Sequence, residues 1–211
     1  MMQELPKQFL TIGEKPMLLI TLERFAQALP EADFTVVLPH EHIGLWQNLV
    51  KHFNCAIEHQ MIAGGATRFE SVKRGLALIS GGITAIHDGV RPFPSDELIK
   101  RCFRHATQHE SAIPAIPLTD TIRKVHEGVS TLVDRQYLRS VQTPQCFDTE
   151  KIKAAYMQVS DTGFTDCASV WEAAGLRPQL VEGERENIKI TVPADLPFAS
   201  WLFEQQNQRK L

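Results

Sequence analysis

The chain has 211 residues, 43% of them hydrophobic, and a formal net charge of −3 at neutral pH. That length supports one substantial core and a single domain, and the charge balance excludes a broadly basic surface of the kind that tracks a nucleic-acid backbone. Any phosphate-binding charge must therefore be local. Cys55, Cys102, Cys146 and Cys167 are far apart with no C-x-x-C pair, which fits reduced thiols in a cytoplasmic protein better than a disulfide frame or a zinc site. No apolar run approaches the ~20 residues that span a bilayer, and no signal-peptide pattern is present. A soluble, cytoplasmic chain without nucleic-acid or membrane partners is expected.

The first residues, Met1 to Leu10, follow no predicted strand. Gly13-Glu14-Lys15-Pro16 is a turn, and Pro16 suits the first position of a helix carrying Leu18, Leu19, Leu22, Phe25 and Leu29. Phe34 to Leu38 is a β-rich run closed by Pro39. His40 and His42 hint at a metal, yet no third ligand is in view and a polar surface explains them better. Ile43, Trp46, Leu49, Val50 and Phe53 mark a helix, and Gln60-Met61-Ile62-Ala63 a short strand. After the loop Gly64-Gly65-Ala66-Thr67-Arg68, helical spacing resumes at Phe69, Val72, Leu76 and Ile79.

Ile83-Thr84-Ala85-Ile86 reads as a buried strand that stops at His87-Asp88-Gly89, and Ser95-Asp96-Glu97 starts the next helix. Asp88 thus stands just past the carboxyl end of a strand, where open α/β sheets bind ligands. Arg91 sets a cation beside it. The pair suggests a polyphosphate site; alone, the octapeptide also allows plain Asp-Gly turn chemistry with a solvated Arg91.

The alternation so far argues for βα units on a mostly parallel sheet with helices on both faces. Ala112 to Pro117 is a further strand, placed by its prolines at an edge or a bend. Residues 118–147 break the rhythm: Thr121–Val125 and Thr131–Val133 flank His126-Glu127-Gly128 as a hairpin. A two-stranded arm is marginal alone, so a second subunit is a natural partner for it. A helix begins around Ile152. A polar loop runs from Ser160 to Asp166, and Asp166 caps a helix that ends at Gly175. Leu180-Val181 and Ile188-Lys189-Ile190 are expected as short strands, and a last helix carries Leu196 to Phe203.

With these pieces in place the sequence resembles the 2-C-methyl-D-erythritol 4-phosphate cytidylyltransferases of the non-mevalonate isoprenoid pathway. The resemblance is carried by Leu5-Pro6-Lys7-Gln8-Phe9-Leu10, Gly64 to Val72, His87-Asp88-Gly89-Val90-Arg91-Pro92, Thr119-Asp120-Thr121 and Val133-Asp134-Arg135. It continues through Gln142-Thr143-Pro144-Gln145, Thr165-Asp166-Cys167-Ala168-Ser169 and Glu186 to Thr191. Each is short; their order and spacing make the signal.

The resemblance implies a single Rossmann-like, three-layer nucleotidyltransferase domain over residues 1–211, with 118–147 as a dimerisation arm. It implies transfer of a cytidylyl group from CTP to a sugar-alcohol phosphate, with Mg²⁺ and release of pyrophosphate. Lys7, Arg135 and Lys189 match catalytic positions. Gly65, Arg68, Ser71, Asp88, Gly89 and Arg91 match the nucleotide side, with Asp88 as a metal contact alongside the substrate phosphates. Thr121, Arg135, Thr143, Thr165, Asp166 and Lys189 match the acceptor side, Thr121 and Arg135 reaching a neighbouring subunit in a homodimer.

Two departures stand out. The family opens with a strand and a glycine-rich loop before Pro-Lys-Gln, whereas Met1 stands where that loop would end. The resemblance therefore implies a longer native chain, and little turnover without the loop. Cys167 also replaces an acid common in the pattern. Alternatives at this stage are a cytidylyltransferase for ribitol 5-phosphate or another polyol phosphate, and a nucleotide-binding homologue without chemistry.

Overall fold

The computed structural model describes residues 6–160 and 163–208; Leu5 of the first motif and Asp161 and Thr162 of the polar loop lie outside them. Two short paired strands, β1 (Thr11–Ile12) and β2 (Lys15–Pro16), lead into α1 (Met17–Ala28), with Pro16 at its N-cap. β3 (Thr35–Leu38), α2 (Ile43–His52) and β4 (Gln60–Ala63) form a parallel crossover unit, Thr35 opposite Gln60 and Leu38 opposite Ala63. α3 (Arg68–Leu76), β5 (Ile83–Ile86) and α4 (Asp96–His109) follow, and the Ser95 hydroxyl caps α4 by accepting the Leu98 N–H.

β6 (Ser111–Pro117) then runs into the hairpin of β7 (Ile122–His126) and β8 (Val129–Val133). The hairpin's two loop residues, Glu127 and Gly128, both have positive φ (48° and 78°), the backbone that a twisted two-residue hairpin requires. β9 (Arg139–Val141), β10 (Gln145–Asp148), α5 (Thr149–Gln158), α6 (Cys167–Ala173), β11 (Leu180–Glu182) and α7 (Leu196–Gln208) complete the order.

The protein is α/β, and its main sheet is mixed. The strand order is β11–β6–β10–β5, with β9 also on β6. The expectation of a mostly parallel sheet is corrected: among the described residues only β3–β4 and β6–β11 pair in parallel, while β10 runs antiparallel to β5 and β6, and β9 to β6. The reason is the route. Parallel neighbours need a long crossover, usually a helix; β9 and β10 return from the hairpin with none between. The stretch 118–147 accordingly divides, since β9 and β10 belong to the main sheet rather than to the hairpin.

β6 is interior, not an edge strand, despite Pro114 and Pro117. The missing Pro114 N–H falls at a handover: β10 pairs with Ser111 and Ala112, β9 with Ala115 to Pro117. The Pro114 carbonyl there accepts the Gln142 N–H at 2.7 Å. Ile188–Ile190 is not a strand; its Ile190 N–H is tied to the Val90 carbonyl at 2.9 Å, and its Ile188 N–H turns back on the Glu186 carbonyl at 2.8 Å.

Alternation along the strands divides the core into two faces. Ala85, Ala112 and Cys146 point towards Leu98, Cys102 and Ala106 of α4, and α1 lies against α4 through Phe25, Ala28 and Ile99. Ile86, Ile113 and Phe147 point towards α3, α5 and α6, meeting Phe69, Tyr156 and Trp171. The sheet is thus sandwiched between α1/α4 and α3/α5/α6.

Gln145, fully buried on that second face, ties the sheet to the start of α6. Its amide donates to Asp166 at 2.9 Å and its carbonyl accepts the N–H groups of Cys167 and Ala168 at 2.9 and 3.1 Å. Gln145→Leu keeps the bulk and strands both donors. It is predicted to cost about 2–4 kcal/mol in denaturant unfolding, and unchanged stability would show that the tie is dispensable.

Candidate active site

β5 ends at Ile86 and the chain turns immediately, because α1 rises against it. A Cβ on Gly89 would meet Leu18 Cδ1 at 2.8 Å, so only glycine fits unshifted, and the Thr21 hydroxyl donates to the Gly89 carbonyl at 3.3 Å. The turn closes with Arg91 N–H on the Asp88 carbonyl at 2.9 Å.

The Asp88 carboxylate, so presented, is surrounded by cations from three segments. Lys189 Nζ lies 2.9 Å from one oxygen and Arg91 Nε 3.7 Å from the same atom; Arg68 Nη2 lies 3.9 Å from the other. Burial pushes the Asp88 carboxyl upward, but the Lys189 hydrogen bond and charge, together with Arg68, outweigh it and hold the group below the usual carboxylate range.

Lys189 reaches this point because its segment is bolted to the 142–143 stretch. Gln142 donates to the Glu184 carbonyl at 2.7 Å and accepts the Glu184 N–H at 3.1 Å. The buried Asn187 side chain donates to the Thr143 carbonyl at 2.8 Å, and Arg91 Nη1 donates to the Asn187 carbonyl at 2.8 Å. Gln142 and Asn187 were not singled out from the sequence, although both sit in its motifs. For Gln142 the signal was a polar run leading into buried β10; Asn187 had none, since no strand follows it.

On the other side of Asp88, the loop before α3 is drawn onto the helix that follows it. Gly65 N–H donates to the Ser71 hydroxyl at 3.0 Å, which donates to the Thr67 carbonyl at 2.9 Å. Ala66 N–H donates to Glu70 at 2.7 Å. A Cβ on Gly65 would sit 2.3 Å from Glu70 Cβ, so glycine is required here. From the first turn of α3, Arg68 spans Asp88 and the Cys167 thiol, the latter at 3.3 Å. Asp166 caps α6 through Ser169 N–H at 3.0 Å. Burial would raise its carboxyl, but hydrogen bonds from Ser169 and Gln145 hold it below the ordinary range. Thr165 is exposed beside it.

Gly65, Arg68, Ser71, Asp88, Gly89, Arg91, Thr143, Asp166 and Lys189 therefore form one connected edge. A cavity of about 420 Å³, bordered by Arg91, Gln142, Asn187, Lys189 and Phe198, adjoins it. Lys7 does not join the group. It is exposed on a single 3₁₀ turn, Lys7–Phe9, anchored by buried Phe9 and by the Leu10 N–H on the Lys7 carbonyl at 3.1 Å, and its ammonium makes no hydrogen bond or ion pair among the described residues. Thr121 and Arg135 are likewise exposed near the hairpin, where Arg135 donates to the Thr119 carbonyl.

No three His, Cys, Asp or Glu side chains converge on a metal position among the described residues, and His40 and His42 lie on a 3₁₀ turn. A magnesium ion fits only by sharing Asp88 with substrate phosphates and water, a mode ordinary for that ion.

The profile of the 2-C-methyl-D-erythritol 4-phosphate cytidylyltransferase family matches residues 1–205. A protein of that name from Bacteroides fragilis is 50% identical over 200 residues, covering 94% of this chain and 91% of its own; one from Bacteroides thetaiotaomicron is 46% identical over the same shares. Among solved structures, the cytidylyltransferase of that name from Thermus thermophilus superposes with a TM-score of 0.78 at 33% identity, covering 94% of both chains. The 4-diphosphocytidyl-2C-methyl-D-erythritol synthase from Anaerococcus prevotii gives 0.83 at 26% identity, covering 92% of this chain and 88% of that one. The chain belongs to the 2-C-methyl-D-erythritol 4-phosphate cytidylyltransferase family.

Proposed function

We propose that the protein transfers the cytidylyl group of CTP to 2-C-methyl-D-erythritol 4-phosphate and releases pyrophosphate, in isoprenoid precursor biosynthesis. The observation that carries this reading is the Lys189–Asp88 contact of 2.9 Å inside a cluster of cations. One carboxylate faces Lys189, Arg91 and Arg68, so positive charge is left over for phosphate groups.

The chemistry asks for little else. The acceptor's phosphomonoester has a second pKa of roughly 6 and is anionic at neutral pH, so no side chain need deprotonate it. One of its oxygens attacks the α-phosphorus of CTP, a new P–O bond forms, and the bond to the β-phosphate oxygen breaks. The leaving pyrophosphate keeps that electron pair. The barrier is repulsion between two polyanions, and it falls through positioning and cation placement. Asp88 serves here as an anchor that directs the Lys189 ammonium, and not as a base: the acceptor phosphate needs no deprotonation, and a carboxyl held below the usual range is a weak proton acceptor. Gly65, Arg68, Ser71, Gly89 and Arg91 line the nucleotide side, and Thr165 and Asp166 the acceptor side. Magnesium, held by Asp88 and mostly by the phosphates, would neutralise triphosphate charge.

The hairpin is read as a dimerisation arm of this Rossmann-like nucleotidyltransferase. Val125, Val129 and Leu132 are each about two-thirds exposed on it, and a two-stranded hairpin is marginal without a partner surface. Thr121 and Arg135 would then serve the site of the neighbouring subunit, with Lys7 steadying the reacting phosphates. The cysteines are free and no described helix is long and apolar enough to cross a membrane, which supports a cytoplasmic location.

Lys189→Ala is predicted to lower kcat by roughly 10²–10³-fold with unchanged circular dichroism, measured by pyrophosphate release; a wild-type rate would remove Lys189 from the mechanism. Lys7→Ala and Arg135→Ala are each predicted to be nearly inactive, while mixed subunits regain roughly a quarter of wild-type turnover, since hybrids carry one intact site. No recovery would place each site within one subunit. Offered both acceptors, the protein is predicted to favour 2-C-methyl-D-erythritol 4-phosphate, and a strong preference for ribitol 5-phosphate would reassign the acceptor.

A further inference from the structure

We infer that His87 and Thr143 are positioning residues for the transfer reaction: together they brace the Asp88–Arg91 turn at both ends and so set where Asp88 holds Lys189. This inference rests on the proposed reaction only for its kinetic readout. His87 Nε2 lies 2.9 Å from the Arg91 carbonyl oxygen, His87 Nδ1 lies 3.1 Å from the Thr143 hydroxyl, and the Asp88 N–H donates to that same hydroxyl at 3.1 Å.

The direction of every bond in this chain can be worked out. A carbonyl oxygen only accepts, so Nε2 must carry the ring proton. The ring packs against Phe25 with centroids 4.7 Å apart, and in a neutral imidazole that carries its proton on Nε2 the other nitrogen, Nδ1, is bare. Nδ1 can then only accept, which makes Thr143 the donor. With its single proton spent on His87, the Thr143 hydroxyl meets the Asp88 N–H with a lone pair. The result is a one-way chain from Asp88 N–H through Thr143 to His87, and from His87 to the Arg91 carbonyl.

The geometry gives the chain its purpose. Asp88 N–H and the Arg91 carbonyl are the two ends of the turn that carries the carboxylate and the guanidinium of the cation cluster. The imidazole ring spans them as a strut. Thr143 is buried, and its hydroxyl joins His87 to the Asp88 N–H, which gives this expected acceptor-side residue a hold on the Asp88 turn as well. Without the ring, the Arg91 carbonyl loses its donor and the Thr143 hydroxyl loses the acceptor that orients it, so the Asp88 N–H is left on a hydroxyl that nothing holds in place.

The test compares His87→Phe, which keeps a flat ring and loses both bonds, with His87→Asn, whose Oδ1 takes the place of Nδ1 and accepts from Thr143. His87→Phe is expected to lower kcat roughly 10–100-fold, as misplacement by about an ångström does, with KM for CTP within about threefold. His87→Asn is expected to recover a substantial part of that loss. Histidine ¹⁵N NMR of the wild-type protein at neutral pH should show His87 protonated on Nε2 only. Wild-type kcat in His87→Phe, a loss confined to KM, no recovery in His87→Asn, or an Nδ1–H tautomer would each overturn the inference. If wild-type protein fails to join CTP to the acceptor, the proposed reaction falls, while the NMR tautomer still decides the hydrogen-bond chain.

Discussion

A carboxylate shared among three cations is the constraint on which this protein depends. Asp88 is largely buried, and its charge would be costly there without partners. Lys189, Arg91 and Arg68 supply them at 2.9, 3.7 and 3.9 Å. The arrangement also works the other way round. The side chain of Lys189 is 44% exposed, and an ammonium on a four-carbon stem would sample many positions if nothing held it. Asp88 narrows that sampling, and an ammonium already in place stabilises developing phosphate charge without reorganising first.

Each cation arrives on a different piece of the fold. Arg68 comes from the first turn of α3, Arg91 from the turn after β5, and Lys189 from an irregular segment after β11. Segments of this kind need fastening, and buried amides do the work. Gln142 and Asn187 hold the Lys189 segment, and Gln145 holds the start of α6. Buried polar networks of this type specify one arrangement where apolar packing would tolerate several, even though Asn187 Oδ1 is left without a hydrogen-bond partner among the described residues. They are the link between sheet topology and the chemistry at its edge.

Much of this was legible in the residues alone. Helical spacing placed α1 to α4 closely, and β4 and β5 were expected at the residues they occupy, because burial on one face imposes a period that can be read. The Asp88 turn was visible as an apolar run cut short by Asp-Gly. The route through residues 118–147 was not. β10 begins at Gln145 after a cis Thr143–Pro144 bond, and such a polar, proline-containing run carries no alternation to announce an interior strand. Pro114 misled in the same way, since nothing local shows that a missing N–H will coincide with a change of partner strand. At the site, the charged members were named from motifs, whereas Gln142, Gln145 and Asn187 act through bonds to backbone groups far away in sequence, and His87 through the distant Thr143 hydroxyl. Only the folded chain reveals those.

The central claim is that Asp88 acts through Lys189, and a double-mutant cycle on kcat with Asp88→Asn, Lys189→Ala and the pair tests it most directly. Strong non-additivity is expected, with the double variant little worse than the poorer single one, because either change alone already dismantles the shared unit. Losses that simply add would mean that the two residues act independently, and would contradict the account.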